Sequence, residues 1–222
     1  MNNPAADPVP VQDVEGDGRW LSMHNRFIRK GKKMSANCNL VFIGDSIIQR
    51  MQDKEIWTKL FEPLGSLNFG IGGDCTQHVL WRIQNGELEN ISPKVVVLLV
   101  GTNNVSKMPS HTAANIGEAI ESIVWYINGI NSTIKVLVLG ILPRGENPNQ
   151  LRTKIMDINS LLESSIKIIP NATFLNADPG FVDSEGKISE NDMLDYLHLT
   201  RAAYEKLCTK IYEALIRLLK YS

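Results

Sequence analysis

Short apolar segments alternate with longer amphipathic segments along most of the chain. Residues 93–101 and 134–142 are apolar at almost every position, which is typical of central parallel strands that are buried on both faces. Between such segments, apolar residues recur every three or four positions, and this spacing predicts helices. We therefore predict strands at residues 39–44, 67–70, 93–101, 134–142 and 172–177. We predict helices at residues 19–33, 48–64, 75–88, 111–131, 151–168 and 200–221.

Strands that alternate with helices favour an α/β fold, in which helices cover both faces of a parallel sheet. Because crossovers between parallel strands are right-handed, we expect a three-layer α/β/α sandwich with a flavodoxin-like, five-stranded sheet. Residues 1–18 are rich in proline, aspartate and glycine, so we expect a mobile N-terminal tail there. Residues 19–222 then form a single domain, whose ligand site lies beyond the carboxyl ends of the strands.

Composition narrows the class of protein. The chain is 43% hydrophobic and carries a net charge of -1, which is ordinary for a globular protein and argues against nucleic-acid binding. No apolar run is long enough for a transmembrane helix, and the first residues lack the pattern of a signal peptide. The three cysteines Cys38, Cys75 and Cys208 predict reduced thiols, so we expect a cytoplasmic protein.

Polar and glycine-rich segments follow each predicted strand. In chain order they are Gly44-Asp45-Ser46, Gly70-Ile71-Gly72-Gly73-Asp74, Gly101-Thr102-Asn103-Asn104, Leu142-Pro143-Arg144-Gly145 and Asp195-Tyr196-Leu197-His198. Since the carboxyl ends of parallel strands share one edge of the sheet, these segments are expected to lie together. They supply a serine, a glycine backbone, an asparagine amide, an arginine and an Asp/His pair.

These residue types predict acyl transfer through a catalytic triad. A serine hydroxyl such as that of Ser46 is a weak nucleophile and needs a base, for which His198 is suited by its ordinary pKa. A carboxylate fixes the tautomer of such a histidine, and Asp195 precedes His198 by three positions. The alternative for Ser46 is that it caps the following helix.

An acyl-transfer site also needs donors for the oxyanion and room for the acyl group. The backbone N–H groups of Ser46 and Gly73 and the amide of Asn103 are the candidate oxyanion hole. Asn103 can alternatively cap the next helix. Ile47 and Leu197 are the candidate walls of an acyl pocket, and a small apolar pocket favours short acyl chains.

Other motifs have plainer interpretations. The Gly-rich stretch at residues 70–75 ends in Cys75 where a dinucleotide fingerprint has glycine or alanine, which argues against nucleotide binding. We expect His24, His78 and His111 to be structural or solvent-exposed. Arg144 either faces the mouth of the site or a partner chain, or is a solvated loop residue.

Four blocks in this order carry a resemblance to a known family. They are "GDSI" with Ser46, "GIGGD" with Gly73, "GTNN" with Asn103, and "DYLH" with Asp195 and His198. The chain resembles the SGNH, or GDSL, hydrolase superfamily. The segments "RWLSMHNRF", "LGILPRGENPN" and "DYLHLT" are similar to one branch of it, the catalytic alpha subunits of the intracellular type I platelet-activating factor acetylhydrolases.

The resemblance implies a calcium-independent serine esterase, without metal or cofactor, that removes the sn-2 acetyl group of an ether phospholipid. It also implies a homodimer of catalytic subunits and a regulatory partner with a WD40 β-propeller. Two alternatives remain: an interaction subunit for such a propeller with secondary esterase activity, or a different short-acyl or carbohydrate esterase. Ile47 stands where the family has Leu, Asn104 where many members have Asp, and Cys75 where a small polar residue is expected.

Overall fold

The computed structural model describes residues 3–220, which build a five-stranded sheet between two layers of helices. The strands are β1 (Leu40–Gly44), β2 (Ser66–Gly70), β3 (Val95–Leu99), β4 (Lys135–Leu139) and β5 (Ala172–Leu175). Their order in the sheet is β2-β1-β3-β4-β5, and every neighbouring pair is parallel. This topology confirms the predicted three-layer, flavodoxin-like sandwich.

The helices connect these strands across both faces of the sheet. They are α1 (Arg19–Met34), α2 (Ser46–Met51), α3 (Glu55–Leu60), α4 (Thr76–Arg82), α5 (Thr102–Lys107), α6 (Ala113–Ile130), α7 (Gln150–Ser165) and α8 (Arg201–Lys220). Short 3₁₀ turns follow at Glu62–Leu64 and Ile166–Ile168, and a π-type turn follows α4 at Ile83–Glu87.

Alternate side chains of the strands enter two separate apolar clusters, because successive strand residues face opposite sides of the sheet. Val41 and Ile43 pack into the cluster under α1, α4, α6 and α7. Leu40 and Phe42 pack into the cluster under α2, α3 and α8, where the Phe42 ring lies 5.0 Å from the Trp57 ring. Each such buried side chain contributes about 1.5–3 kcal/mol of hydrophobic stabilisation.

Two predicted helices are wrong in their extent. The helix predicted over residues 48–64 is broken into α2, α3 and a 3₁₀ turn. Met51 and Trp57 are both fully buried, and six positions on one straight helix would place them on different faces. The helix predicted over residues 75–88 ends at Arg82, and Gly86 beyond it has a φ of 104°, which only glycine adopts readily.

Helix α5 was not predicted at all. It has six residues, TNNVSK, of which Val105 alone is a large apolar side chain. Such a segment is too short and too polar to show a hydrophobic period. It follows β3 directly, at the edge of the sheet where the site residues were expected.

The N-terminal segment lies against the domain. Residues 3–18 contain no helix or strand, but Ala5 is fully buried and its carbonyl oxygen accepts a hydrogen bond from Thr76 Oγ1 at 2.7 Å. The Asn3 amide donates to the carbonyl oxygen of Asn115 at 3.0 Å. The prediction of a mobile tail did not include these contacts. Residues 1 and 2 lie outside the described residues.

Across residues 3–220, no helix combines the length and the apolar character that crossing a bilayer requires.

All three cysteines are buried free thiols. Burial raises the pKa of Cys38 to about 11 and the pKa of Cys75 and of Cys208 to about 12. Since the thiolate is the reactive form, we expect dithionitrobenzoate at pH 8 to modify no thiol rapidly in the native protein and all three after unfolding in urea. One fast-reacting thiol in the native protein would contradict the burial of these side chains.

Candidate active site

Ser46 lies at the point where β1 passes into α2. The cap of that helix is Asp45, whose Oδ1 accepts a hydrogen bond from the Ile47 N–H at 2.9 Å. The alternative that Ser46 is the capping residue is therefore wrong, and its hydroxyl is left for other partners. The turn is tight, because a Cβ on Gly44 would lie 2.1 Å from the Leu99 carbonyl oxygen.

Three predicted site residues form one hydrogen-bonded chain. Ser46 Oγ lies 2.9 Å from His198 Nε2, across 152 positions of sequence. On the other side of the ring, His198 Nδ1 lies 2.6 Å from Asp195 Oδ2. Asp195 Oδ1 accepts the backbone N–H groups of His198 at 2.7 Å and Leu197 at 3.2 Å. A neutral imidazole with its proton on Nδ1 would donate to Asp195 and accept from Ser46.

The Asp195–His198 segment is a closed turn. Tyr196 has a φ of 56°, one of two non-glycine residues with positive φ among those described. Its carbonyl oxygen accepts the Gly145 N–H at 2.7 Å, and the Leu194 N–H donates to the His198 carbonyl oxygen at 3.1 Å. The left-handed residue turns the backbone so that both side chains face the same way.

Hydrogen bonding keeps Asp195 ionised. Partial burial opposes the charged form, but the hydrogen bonds from the backbone and side chain of His198 outweigh it, so the pKa of Asp195 lies below its ordinary value. An ionised Asp195 can stabilise an imidazolium on His198.

The three predicted oxyanion donors lie on neighbouring loops. Asn103 Nδ2 donates one N–H to the Asp74 carbonyl oxygen at 2.9 Å, and a primary amide has a second N–H to offer. The backbone N–H groups of Ser46 and Gly73 meet no acceptor among residues 3–220. Gly73 has a φ of 91°, which favours glycine at this position.

Gln49 joins the serine helix to the glycine loop. Its Oε1 accepts the Gly72 N–H at 2.6 Å. A Cβ on Gly72 would lie 3.0 Å from that oxygen and 3.6 Å from Ser46 Cβ, so Gly72 brings the loop against the serine. Gln49 was not among the predicted site residues, although it lies one turn of α2 beyond Ser46.

The two residues predicted for an acyl pocket differ in their surroundings. Ile47 is 1% exposed and belongs to the cluster under α2, α3 and α8, where Tyr204 donates its hydroxyl proton to the Ile47 carbonyl oxygen at 2.8 Å. Leu197 is half-buried on the same turn as His198. Ile47 thus offers very little surface to a ligand, whereas Leu197 is accessible beside the histidine.

Arg144 and Asn104 connect the loops around the site. Arg144 Nη1 donates to both the carbonyl oxygen and Oγ1 of Thr102 at 3.0 Å, so it is not a free surface arginine. Asn104 is fully buried, and its amide group bonds Thr76 and Gln77 at the start of α4. Both residues therefore fix the position of α5, which carries Asn103.

A buried ionic network lies beneath the glycine loop and was not predicted from the sequence. Arg82, with no exposed surface, lies 2.9 Å from Asp74 Oδ2 and 2.7 Å from Glu87. His24 Nδ1 lies 3.0 Å from Glu87 Oε1, and Trp20 donates to Asp74 Oδ1 at 2.7 Å. Burial outweighs the pairing with Arg82 and raises the pKa of Asp74 to about 6. His24 is thus buried and structural.

Within the described part of the chain, no group of three or more His, Cys, Asp or Glu side chains is arranged to hold a metal ion.

Comparison with known proteins decides the family. The model of the GDSL-like lipase/acylhydrolase family matches residues 42–206, which include both the serine turn and the Asp/His turn. The chain belongs to the GDSL-like lipase/acylhydrolase family. It is therefore an ester-hydrolysing enzyme, as the motif blocks predicted.

The relatives of this GDSL hydrolase include well-matched curated proteins. Platelet-activating factor acetylhydrolase IB subunit alpha1 of Rattus norvegicus is 53% identical over 217 residues, which cover 98% of this chain and 91% of the relative. Subunit alpha2 of Gallus gallus is 50% identical over 219 residues, covering 99% and 93%. A GDSL-like lipase from Bacteroides thetaiotaomicron has the same fold, with a TM-score of 0.73, 23% identity and coverage of 87% and 97%.

Proposed function

We propose that this GDSL hydrolase is a serine esterase that removes short acyl groups, above all the sn-2 acetyl group of ether phospholipids related to platelet-activating factor. The observation that carries the proposal is the 2.9 Å contact between Ser46 Oγ and His198 Nε2. The substrate follows from the relatives, whose names describe platelet-activating factor acetylhydrolase subunits. A cytoplasmic location fits the buried, unpaired cysteines.

In the proposed mechanism, Ser46 Oγ attacks the carbonyl carbon while His198 Nε2 takes the hydroxyl proton. The tetrahedral intermediate carries its negative charge on the former carbonyl oxygen, to which the N–H groups of Ser46, Gly73 and Asn103 donate. The bond to the leaving alcohol then breaks, and His198 returns the proton to that oxygen. Water attacks the acyl-serine while His198 takes one of its protons, and that proton passes to Ser46 Oγ as the carboxylic acid leaves. Asp195 holds the ring and stabilises its cation.

The direct test is the hydrolysis of p-nitrophenyl esters by the purified chain in the presence of EDTA. We expect turnover of the acetate and much slower turnover of the octanoate, because extra methylenes must find room in the site. The same assay with acetylated xylo-oligosaccharides tests the carbohydrate esterase alternative. A folded protein that is silent on every ester would refute the proposal.

Asn103 is the residue to change for the oxyanion hole. We expect Asn103→Ala to lower kcat for p-nitrophenyl acetate by about 10²- to 10³-fold with little change in KM, because its amide acts on the transition-state charge. Ser122→Ala on α6 is the control, since its hydroxyl bonds the Glu118 carbonyl oxygen of the same helix, away from the site. A loss of less than threefold would remove Asn103 from the oxyanion hole.

A second candidate role is assembly, because the relatives' names describe them as subunits. In this role the chain would form a homodimer and bind a WD40 β-propeller partner, with esterase activity secondary. A Ser46→Ala protein that still binds such a propeller would separate the two roles. A chain that binds no propeller in a pull-down with the purified partner would refute the second.

A further inference from the structure

The mouth of the site carries a lysine to which none of the steps above assigns a role. Lys107 is the last residue of α5, four positions after Asn103, and its side chain is exposed. A Cβ built on Gly73 would lie 3.5 Å from Lys107 Nζ, so the ammonium group stands beside the glycine that offers its N–H to the oxyanion.

Electrostatics place the same ammonium close to both loops of the site. Burial is the main cause of the shifted pKa values of Asp45, Cys75 and His78. The positive charge of Lys107 is a further influence on all three groups, and it lowers the pKa of each. Asp45 precedes the serine, and the other two follow the glycine loop. The positive charge therefore acts on the space between Ser46 and Gly73.

The ammonium group of Lys107 has no acidic partner within the described part of the chain. Among residues 3–220, no carboxylate forms an ion pair with it. The acidic side chains around the site already have other partners. Asp195 bonds to His198, and Asp74 lies against Arg82 and accepts a hydrogen bond from Trp20. The buried Asp45 accepts a backbone N–H in the turn of Ser46. Two other cations near this edge bond to backbone: Arg144 donates to the Thr102 carbonyl oxygen, and Arg19 Nη2 donates to the Gly72 carbonyl oxygen at 3.4 Å.

We propose that Lys107 is a specificity residue for the ester substrate. Its ammonium group binds a negatively charged group, of the phosphate class, that the substrate carries close to the acyl group that is removed. The inference rests on the proposed esterase function and defines its substrate class. A lysine on a flexible stem is suited to this role, since its ammonium can reach an anion whose position varies with the length of the substrate.

The test uses two short-chain ether lipids below their critical micelle concentration. Both carry the same sn-2 acetyl ester; one ends in a phosphate and the other in a methyl ether. The quantity measured is the ratio of kcat/KM for the phosphate lipid to that for the neutral lipid, at low and at high salt. The variants are Lys107→Met, Lys107→Arg, and Lys94→Met, which removes an exposed lysine at the amino end of β3.

We expect Lys107→Met to lower the ratio about three- to fivefold at low salt, as the loss of one solvent-exposed ion pair does. For Lys107→Arg we expect a ratio of kcat/KM values close to that of the unchanged protein, and for Lys94→Met we expect the same ratio as in the unchanged protein. In the unchanged protein, salt lowers the ratio by screening, whereas in Lys107→Met it has a smaller effect.

An unchanged ratio in Lys107→Met would overturn the inference, and so would an equal loss on both lipids, which indicates a structural or oxyanion effect. The proposed function fails by a different result: neither lipid is hydrolysed, or both are hydrolysed equally well by Ser46→Ala. An active neutral ester together with an unchanged ratio refutes the role of Lys107 alone.

Discussion

Replacing Ser46 with alanine is expected to lower kcat/KM for p-nitrophenyl acetate by about 10⁴-fold or more, the usual cost of removing a triad nucleophile. The substitution removes the oxygen atom that joins the serine turn to His198 Nε2, at 2.9 Å. The fold should be unaffected, because the helix cap is Asp45 and not Ser46. Initial rates at several substrate concentrations give the comparison.

Two controls make this result specific. Thermal unfolding of Ser46→Ala should occur within a few degrees of the unchanged protein, which shows that the loss is chemical. Ser122→Ala, an exposed hydroxyl deletion on α6, should keep full activity. If Ser46→Ala retained more than a tenth of the activity, another nucleophile or a direct attack by water would have to carry the reaction.

The largest effect on stability is expected from Arg82→Met. We expect the free energy of unfolding to fall by about 3–5 kcal/mol, because the change leaves the carboxylates of Asp74 and Glu87 buried without their cation. The hydrogen bond to the Phe69 carbonyl oxygen at the end of β2 is lost as well. Urea denaturation followed by circular dichroism measures the difference.

The control is Arg201→Met, because Arg201 pairs with Glu55 and Glu205 on the surface. An exposed pair contributes at most about 1 kcal/mol, so this variant should unfold close to the unchanged protein. Combining Arg82→Met with Asp74→Asn and Glu87→Gln should recover part of the loss, since no buried charge is then left unpaired. Equal effects of Arg82→Met and Arg201→Met would show that the network contributes little.

The strands were accessible from the sequence for a physical reason. A parallel strand buried on both faces must be apolar at consecutive positions, as residues 93–101 and 134–142 are. The helix breaks after Met51 and Arg82 were not accessible, because they depend on which side chains reach the core across the sheet. Helix α5 is short and polar, and tertiary contacts of Arg144 and Asn104 hold it in place.

The candidate site, like the fold, could be predicted from the sequence only in part. Its motif residues follow the strands. Because the carboxyl ends of parallel strands share one edge of the sheet, the sequence was sufficient to predict that these residues lie together. Arg82 gave only a weak signal, a charge among the buried positions Val79, Leu80 and Ile83 of α4. Nothing in the sequence indicates that Lys107 lies beside Gly73, since their proximity depends on two loops from different strands.

The closed turn at Tyr196 has a consequence for how this enzyme can be switched. Asp195 and His198 are held to each other by side-chain and backbone hydrogen bonds within four residues, whereas Ser46 begins helix α2 just after β1. The proposed general base and its carboxylate therefore form one unit that can shift without coming apart. A small displacement of that unit would lengthen the Ser46–His198 contact and, in the proposed mechanism, stop acylation, while the hydrogen bond between His198 and Asp195 stayed intact. In the proposed mechanism, activity would depend on the one distance between Ser46 Oγ and His198 Nε2.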